Sequence, residues 1–448
     1  MKNRIIKIIS FILASAMLSG VLCACAQNVL PIDSKNTTGR EENPDKRPID
    51  AEPISATDLM AGVTSEDSKG TDPDDSFIKT QLDFAFRLFK SSANLDDKNL
   101  MVSPLSVMLA LAMTANGADG NTLKEMERVL GGSVPLTDLN KYLKNYVSSL
   151  RSNEKTSIKF ADSIWFRDNE DEFRVNEDFL KINADYYKAS AYRAPFDDRT
   201  LKDINNWVYA NTDGLIDKVL DSIPKEAIMY LINTIVFDGK WSEEIGTETN
   251  TFEKFTNSEG TEKEAEMLHS TESVYFNDGK ATGFMKNYYG NYAFVALLPN
   301  EGVSIDEYVQ SLNSESYMNM FKNREFGKVV CKFPKFKSDY NTELSSILIE
   351  MGMKDAFSGE KANFSKIGSV NPGENICISK VIHKTHIEVD NAGTKAAAVN
   401  VIEMVKATSI GPEEIKYYYV TLDRPFVYMI IDTQTNLPIF IGQVKDIT

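Results

Sequence analysis

The sequence predicts an α+β fold, and three observations predict it. Segments with helical spacing crowd the first half of the chain beyond residue 75, whereas the C-terminal part reads as strands. Ile228 to Phe237 is a nearly continuous apolar run, the pattern of a central strand covered on both faces. The stretch from Glu388 to Thr408 is fit to be a strand in its β-branched residues, yet it is hinged near its start at Gly393, which tolerates almost any φ. Such a segment suits either of two positions.

At the N-terminus, Lys2, Arg4 and Lys7 precede an apolar run from Ile8 to Leu22 that is short for a membrane span, so residues 1–25 read as an export signal. Leu22-Cys23-Ala24-Cys25 resembles a bacterial lipoprotein signal with Cys25 acylated; Ala24-Cys25-Ala26 suits ordinary signal cleavage instead. Either ending implies an extracellular protein. A lipid on Cys25 would be its only membrane attachment, each buried methylene adding roughly 0.8 kcal/mol. Residues 26–75 are polar and charged, with Pro31, Pro44, Pro48, Pro53 and Pro73 scattered through them. They bury too little apolar surface to offset ordering entropy and read as a flexible linker to a domain spanning 76–448.

Within that domain Phe77, Ile78, Leu82, Phe86 and Phe89 have helical spacing. Ser103-Pro104 is a helix start, with Ser as N-cap and Pro at the first helical position, and Asn116-Gly117 ends that helix. A further helix runs from Thr122 to Leu130 and stops at Gly131-Gly132. Phe160 to Arg167 reads as a strand, Leu201 to Asn211 as a helix, and Leu344 to Met351 as a helix closed by Gly352. Strands follow at Ile378 to Val389, Tyr417 to Val420, Phe426 to Asp432 and Ile439 to Val444.

The 448 residues, 42% hydrophobic and 25% charged, are those of an ordinary globular protein with a large core. A net charge of −16 without a Lys/Arg stripe argues against nucleic acid as partner. Once the signal is set aside, Cys331 and Cys377 remain, and both read as buried thiols; a bond between them would need adjacent strands in register. Catalytic signatures are lacking. The histidines are His269, His383 and His386; no His-Glu-x-x-His or Gly-x-Ser-x-Gly motif occurs, and odd spacing on a strand points His383 and His386 to opposite faces. No metal or cofactor is expected.

Several segments in chain order together carry a resemblance: Asn99-Leu-Met-Val-Ser-Pro-Leu-Ser-Val-Met-Leu, Ile204-Asn-Asn-Trp-Val with Thr212-Asp-Gly-Leu-Ile, Leu231-Ile-Asn-Thr-Ile-Val-Phe-Asp-Gly-Lys-Trp, Phe333-Pro-Lys-Phe, Ala362-Asn-Phe-Ser-Lys-Ile, Ile382-His-Lys-Thr, Asp423-Arg-Pro-Phe-Val-Tyr-Met-Ile and Pro438-Ile-Phe-Ile-Gly-Gln-Val. From about Ser76 onward the chain resembles the serpin family. The resemblance implies three β-sheets surrounded by eight to nine helices, with an exposed reactive-centre loop near the C-terminus. It implies a monomeric suicide-substrate inhibitor of serine proteases, and possible action on cysteine proteases as well. A protease cuts the loop, forms an acyl-enzyme, and is carried across the molecule as the loop inserts into the large sheet. The alternative is a serpin-fold binding protein without inhibitory activity.

By the same resemblance, Gly393, Thr394, Lys395, Ala396, Ala397 and Ala398 match the hinge. Thr394, Ala396, Ala398 and Asn400 fall on one face of the entering strand, and Lys395, Ala397 and Val399 on the other. The family usually has Glu where Asn391 and Lys395 stand. Asn391 loses a charge that often forms a salt bridge above the large sheet, and Lys395 reverses one on an exposed face, where little change is expected. Ser103, Ser106, Asn233 and His383 match the shutter cluster, and Trp241 the breach where the loop first enters. Loop length places the reactive bond at Ala407-Thr408, which suits elastase- or subtilisin-like enzymes. A frame one residue shorter gives Lys406-Ala407, which suits trypsin-like ones.

Overall fold

Alternation and capping explain where the elements begin. Asp74 caps the helix Asp75–Ala93, its carboxylate accepting from Phe77 N at 2.9 Å, and the Phe77, Phe84 and Phe89 side chains go inward. Ser103 and Pro104 start the helix Pro104–Ala115 as the sequence predicts, and all its residues are buried. A helix apolar on every side belongs in the interior. This one lies beneath the large sheet and brings Ser103 and Ser106 to it. Gly117 at its end is required by packing: a Cβ there would sit 2.0 Å from the Ile367 side chain.

The computed structural model describes residues 52–66, 68–95, 98–168, 174–369, 375–394 and 415–447. Among them are nine α-helices. A seven-stranded sheet runs in the order Thr57–Asp58, Ser190–Ala194, Thr156–Arg167, Met229–Lys240, Gly393–Thr394, Lys380–Val389 and Phe336–Glu343. A nine-stranded sheet holds Tyr417–Thr421 at one edge, then Glu325–Pro334, Glu262–Asn277, Ala281–Asn287, Tyr292–Pro299, Phe426–Asp432, Pro438–Val444 and Leu100–Val102, with Thr251–Thr256 joined to Glu262–Asn277. The third sheet is a ribbon of Arg174–Val175 with Gly368–Ser369. Ile235, Phe237 and Ile387 of the first sheet meet Phe294, Tyr428 and Ile430 of the second in one buried cluster.

The linker boundary at residue 75 is corrected. Thr57 and Asp58 pair with Arg193 and Tyr192 as an edge strand, and Leu59 N donates to Ala191 O at 2.9 Å. Buried Asp203 accepts from Ser55 N, Ser55 Oγ and Ala56 N at 3.1, 2.6 and 3.0 Å. Leu59, Met60 and Val63 rest on the main core. Prolines and charges hid a segment whose few apolar residues find an edge ready for them. Cys331 is buried and Cys377 half-buried just ahead of its strand, and both are free thiols. Burial raises both thiol pKa values.

Asp203→Ala is expected to release this strap: amide hydrogen exchange at Ser55, Ala56 and Leu59 should accelerate at least about tenfold, as for loss of one charge-assisted hydrogen-bond set. Unchanged protection at those amides would refute the seating.

Candidate functional site at the opening of the large sheet

Three neighbouring strands align Asp162, Asn233 and His383 in one row. Asn233 is the hub. Its Nδ2 donates to Ser106 O at 2.7 Å and to the Asp162 carboxylate, and its Oδ1 accepts from Ser106 Oγ. Ser103 N donates to His383 Nε2 at 3.0 Å, which leaves the ring proton on Nδ1, 3.3 Å from Asn233 Oδ1. Ser103 Oγ in turn accepts from Ser106 N at 3.3 Å. The structure thus brings together Ser103, Ser106, Asn233 and His383. Burial shifts both titratable members toward neutrality: the Asp162 carboxyl is pushed up to about 7, its bond to Asn233 opposing the shift, and His383 is pushed down to about 3.

Asp162 was missed in the sequence. Its signal was an acid on the strand face of Ile158, Ile164 and Phe166, which are all buried.

Through this row the central strands Met229–Lys240 and Lys380–Val389 pair in parallel, from Tyr230 with Lys380 to Thr234 with Lys384. Beyond Thr234 they part. Thr394 then bridges them at the top, opposite Gly239 on one side and Val389 on the other, with Gly393 opposite Lys240. A slot remains between the two ends, lined by Ile235, Phe237, His386, Ile387 and Thr394 and flanked by Leu215 and Ile216. His386 turns to the other face from His383, its Nδ1 2.6 Å from Asp339.

The top of the slot is closely held. Trp241 N donates to Ala392 O and Trp241 Nε1 to Asp390 O, each at 2.9 Å. The indole stacks on Tyr288 at 4.3 Å, and the Tyr288 and Thr394 hydroxyls lie 2.6 Å apart with Thr394 buried. Lys286 lies 5.3 Å over the indole and donates to Glu272 at 3.0 Å. Gly393 is required by close approach, since a Cβ there would lie 2.1 Å from Gly239 O.

Asn391 does not leave the position bare. It exchanges amide hydrogen bonds with Asn250 at 2.9 and 3.0 Å, and Asn250 also donates to Glu266 at 2.6 Å. Glu266 is paired with Lys335 at 2.7 Å, and that hydrogen bond holds its carboxyl below the usual range. Asn250 and Tyr288 had no sequence signal, because their contacts with Asn391 and Thr394 span more than a hundred residues.

Of the expected hinge, Gly393 and Thr394 are in the sheet. Lys395, Ala396, Ala397 and Ala398 lie outside the described residues, as do both candidate bonds, Ala407-Thr408 and Lys406-Ala407, and the expected lipidation site Cys25.

Among the described residues the large sheet has parted central strands with a third strand begun between them. Comparison with known proteins identifies the family. The family description Serpin (serine protease inhibitor) matches residues 79–447. A serpin-like protein of Methanosarcina acetivorans is 29% identical, covering 81% of this chain and 84% of its own. The thermophilic serpin tengpin in its native state superposes with a TM-score of 0.82 at 42% identity, covering 88% of this chain and 100% of tengpin. Tengpin in its latent state gives 0.74 at 41% identity, covering 85% and 100%. The chain belongs to the serpin family.

The two buried titratable groups impose opposite pH dependences. Asp162 has a folded value above its ordinary 3.8, so its contribution is full below that value and is lost as pH rises through about 7. His383 has a folded value below its ordinary 6.5, so its contribution is full above that value and is lost as pH falls toward about 3. Between about pH 4 and 6.5 the slopes oppose, each at most about 1.4 kcal/mol per pH unit. Relative to wild type, Asp162→Asn is expected to lose stability on acidification through that window and His383→Gln to gain it. Urea midpoints across the window check this, and matching slopes in both variants would refute it.

Proposed function

We propose that this chain is a suicide-substrate inhibitor of serine proteases that acts by loop cleavage and strand insertion. The observation that carries the reading is Thr394, buried and paired to both central strands at the head of an open slot. Below it, among the described residues, Ile235 to Asp238 and Thr385 to Glu388 each have a strand neighbour on the outer side only. A strand entering there would satisfy those backbone groups and bury every second side chain. The native molecule is then held short of a more stable form that cleavage releases. Export through residues 1–25, with a lipid on Cys25, would put such an inhibitor at the cell surface.

Extending the antiparallel register down from Thr394 would set Ala396 between Phe237 and Ile387, and Ala398 between Ile235 and Thr385. All four flanking residues are buried, so small side chains on that face enter without clashes. Asn400 would arrive at Asn233 and His383, where the row of hydrogen bonds must open. Lys395 would come between Asp238 and Glu388 on the outer face. On that register the Lys at 395 would suit this sheet.

Incubation with subtilisin, elastase and trypsin tests the reading. An SDS-stable complex and a raised melting temperature after loop cleavage are expected. Cleavage without either outcome would leave a serpin-fold binding protein. Thr394→Arg is expected to convert inhibitor to substrate, because it would bury an unpaired charge; inhibition at unchanged stoichiometry would refute the register. Lys395→Glu sets like charges opposite one another, each such contact costing about 0.2–1 kcal/mol. It should raise the stoichiometry of inhibition in low salt, and the effect should fade in high salt. An unaltered stoichiometry in low salt would show that 395 does not pass between the two acids.

A further inference from the structure

The edge strand Tyr417–Thr421 carries a feature that strand insertion does not use. It pairs in parallel with Glu325–Pro334, setting Tyr417 opposite Lys328 and Tyr419 opposite Val330. Alternation sends Tyr418 inward, where it stacks on Tyr275 at 4.2 Å and donates to Glu325 at 2.9 Å. The same alternation sends Tyr417 and Tyr419 outward, beside Phe326. Phe326, Tyr417 and Tyr419 are 64%, 54% and 74% exposed, and Ile415 just before the strand is 59% exposed. Apolar groups this open and this close together mark an interaction surface rather than a core.

Two cations are threaded through them. Lys328 lies 5.8 Å over the Tyr417 ring and Arg324 5.4 Å over that of Phe326. Neither has an acidic ion-pair partner among the described residues, although the chain as a whole carries −16. Exposed aromatics with Arg and Lys are the composition of a protein-binding hot spot, here bordered by Glu325, which Lys416 and Tyr418 engage.

We propose that this face is a docking surface for the body of the target protease, and that it meets an acidic rim on that enzyme. The inference rests on the inhibitor reading. A protease engaged at Ala407-Thr408 is tied to Ile415 by seven residues, so its catalytic centre lies within at most about 25 Å of the patch, less than the width of a protease domain. The bait supplies the bond to be cut. The aromatic face adds contact area with the enzyme's flank, and the cations speed encounter.

The test uses the full chain and two variants, Phe326→Ser/Tyr419→Ser and Lys328→Glu, against subtilisin, elastase and trypsin, both active and as catalytically dead anhydro-enzymes. All changed side chains are exposed, and equal melting temperatures confirm intact folding. The expected result is a fall of about tenfold in association rate with at least one enzyme, in complex formation and in anhydro-enzyme binding, with stoichiometry of inhibition unchanged. The Lys328→Glu deficit should vanish in about 1 M salt.

Rates within about twofold of wild type for every enzyme would overturn the docking surface while leaving the inhibitor reading in place. Wild-type binding to an anhydro-enzyme that the variants lose, without any SDS-stable adduct, would support the surface while the inhibitor reading failed. Self-association of wild type in sedimentation, lost in the variants at unchanged rates, would assign the face to a second copy and overturn the proposal.

Discussion

The arrangement depends on one interrupted ladder. Among the described residues, Met229–Lys240 and Lys380–Val389 are joined by parallel pairing only from Tyr230 to Thr234, and by Thr394 only at the top. Backbone donors and acceptors inside a sheet need partners. A stretch of each strand that lacks one on its inner side is therefore a standing demand for another strand. The Asn233 row closes the lower limit of that demand, and the Trp241 group sets its upper one.

The two ends of the slot hold it by different chemistry. At the lower end an acid and a histidine are buried together, yet burial raises the Asp162 carboxyl to about 7 and lowers His383 to about 3, so below about pH 7 the row is a chain of neutral hydrogen bonds. Such a row opens without separating charges. At the upper end there is an ion pair instead: Lys286 lies against the indole of Trp241 and pairs with Glu272. The Asn250–Asn391 amide pair stands where a charged contact is usual in the family, and the nearby Lys335 is taken up by Glu266. The departure at 391 thus meets a compensating partner in this chain.

The edge strands show a second constraint. Thr57–Asp58 covers one edge of the large sheet, and an unpaired edge invites association. Tyr417–Thr421 forms the edge of the other sheet and faces outward with aromatic side chains. One edge is therefore blunted by the chain's own N-terminal strap, while the other presents a surface for recognition.

The sequence by itself determined the α+β class, the helix begun at Ser103-Pro104, the central strand through Asn233, and the opposed faces of His383 and His386. Each rests on local periodicity, capping or the two-residue repeat of a strand, which adjacent residues specify. It also carried the family resemblance, and with it the grouping of Ser103, Ser106, Asn233 and His383. The tertiary structure alone decided that Asp162 joins that group, that Asn250 answers Asn391, and that residues 54–63 are seated rather than loose. These depend on register between strands far apart in the chain, and register is set by the packing of whole sheets, which no short window of sequence contains.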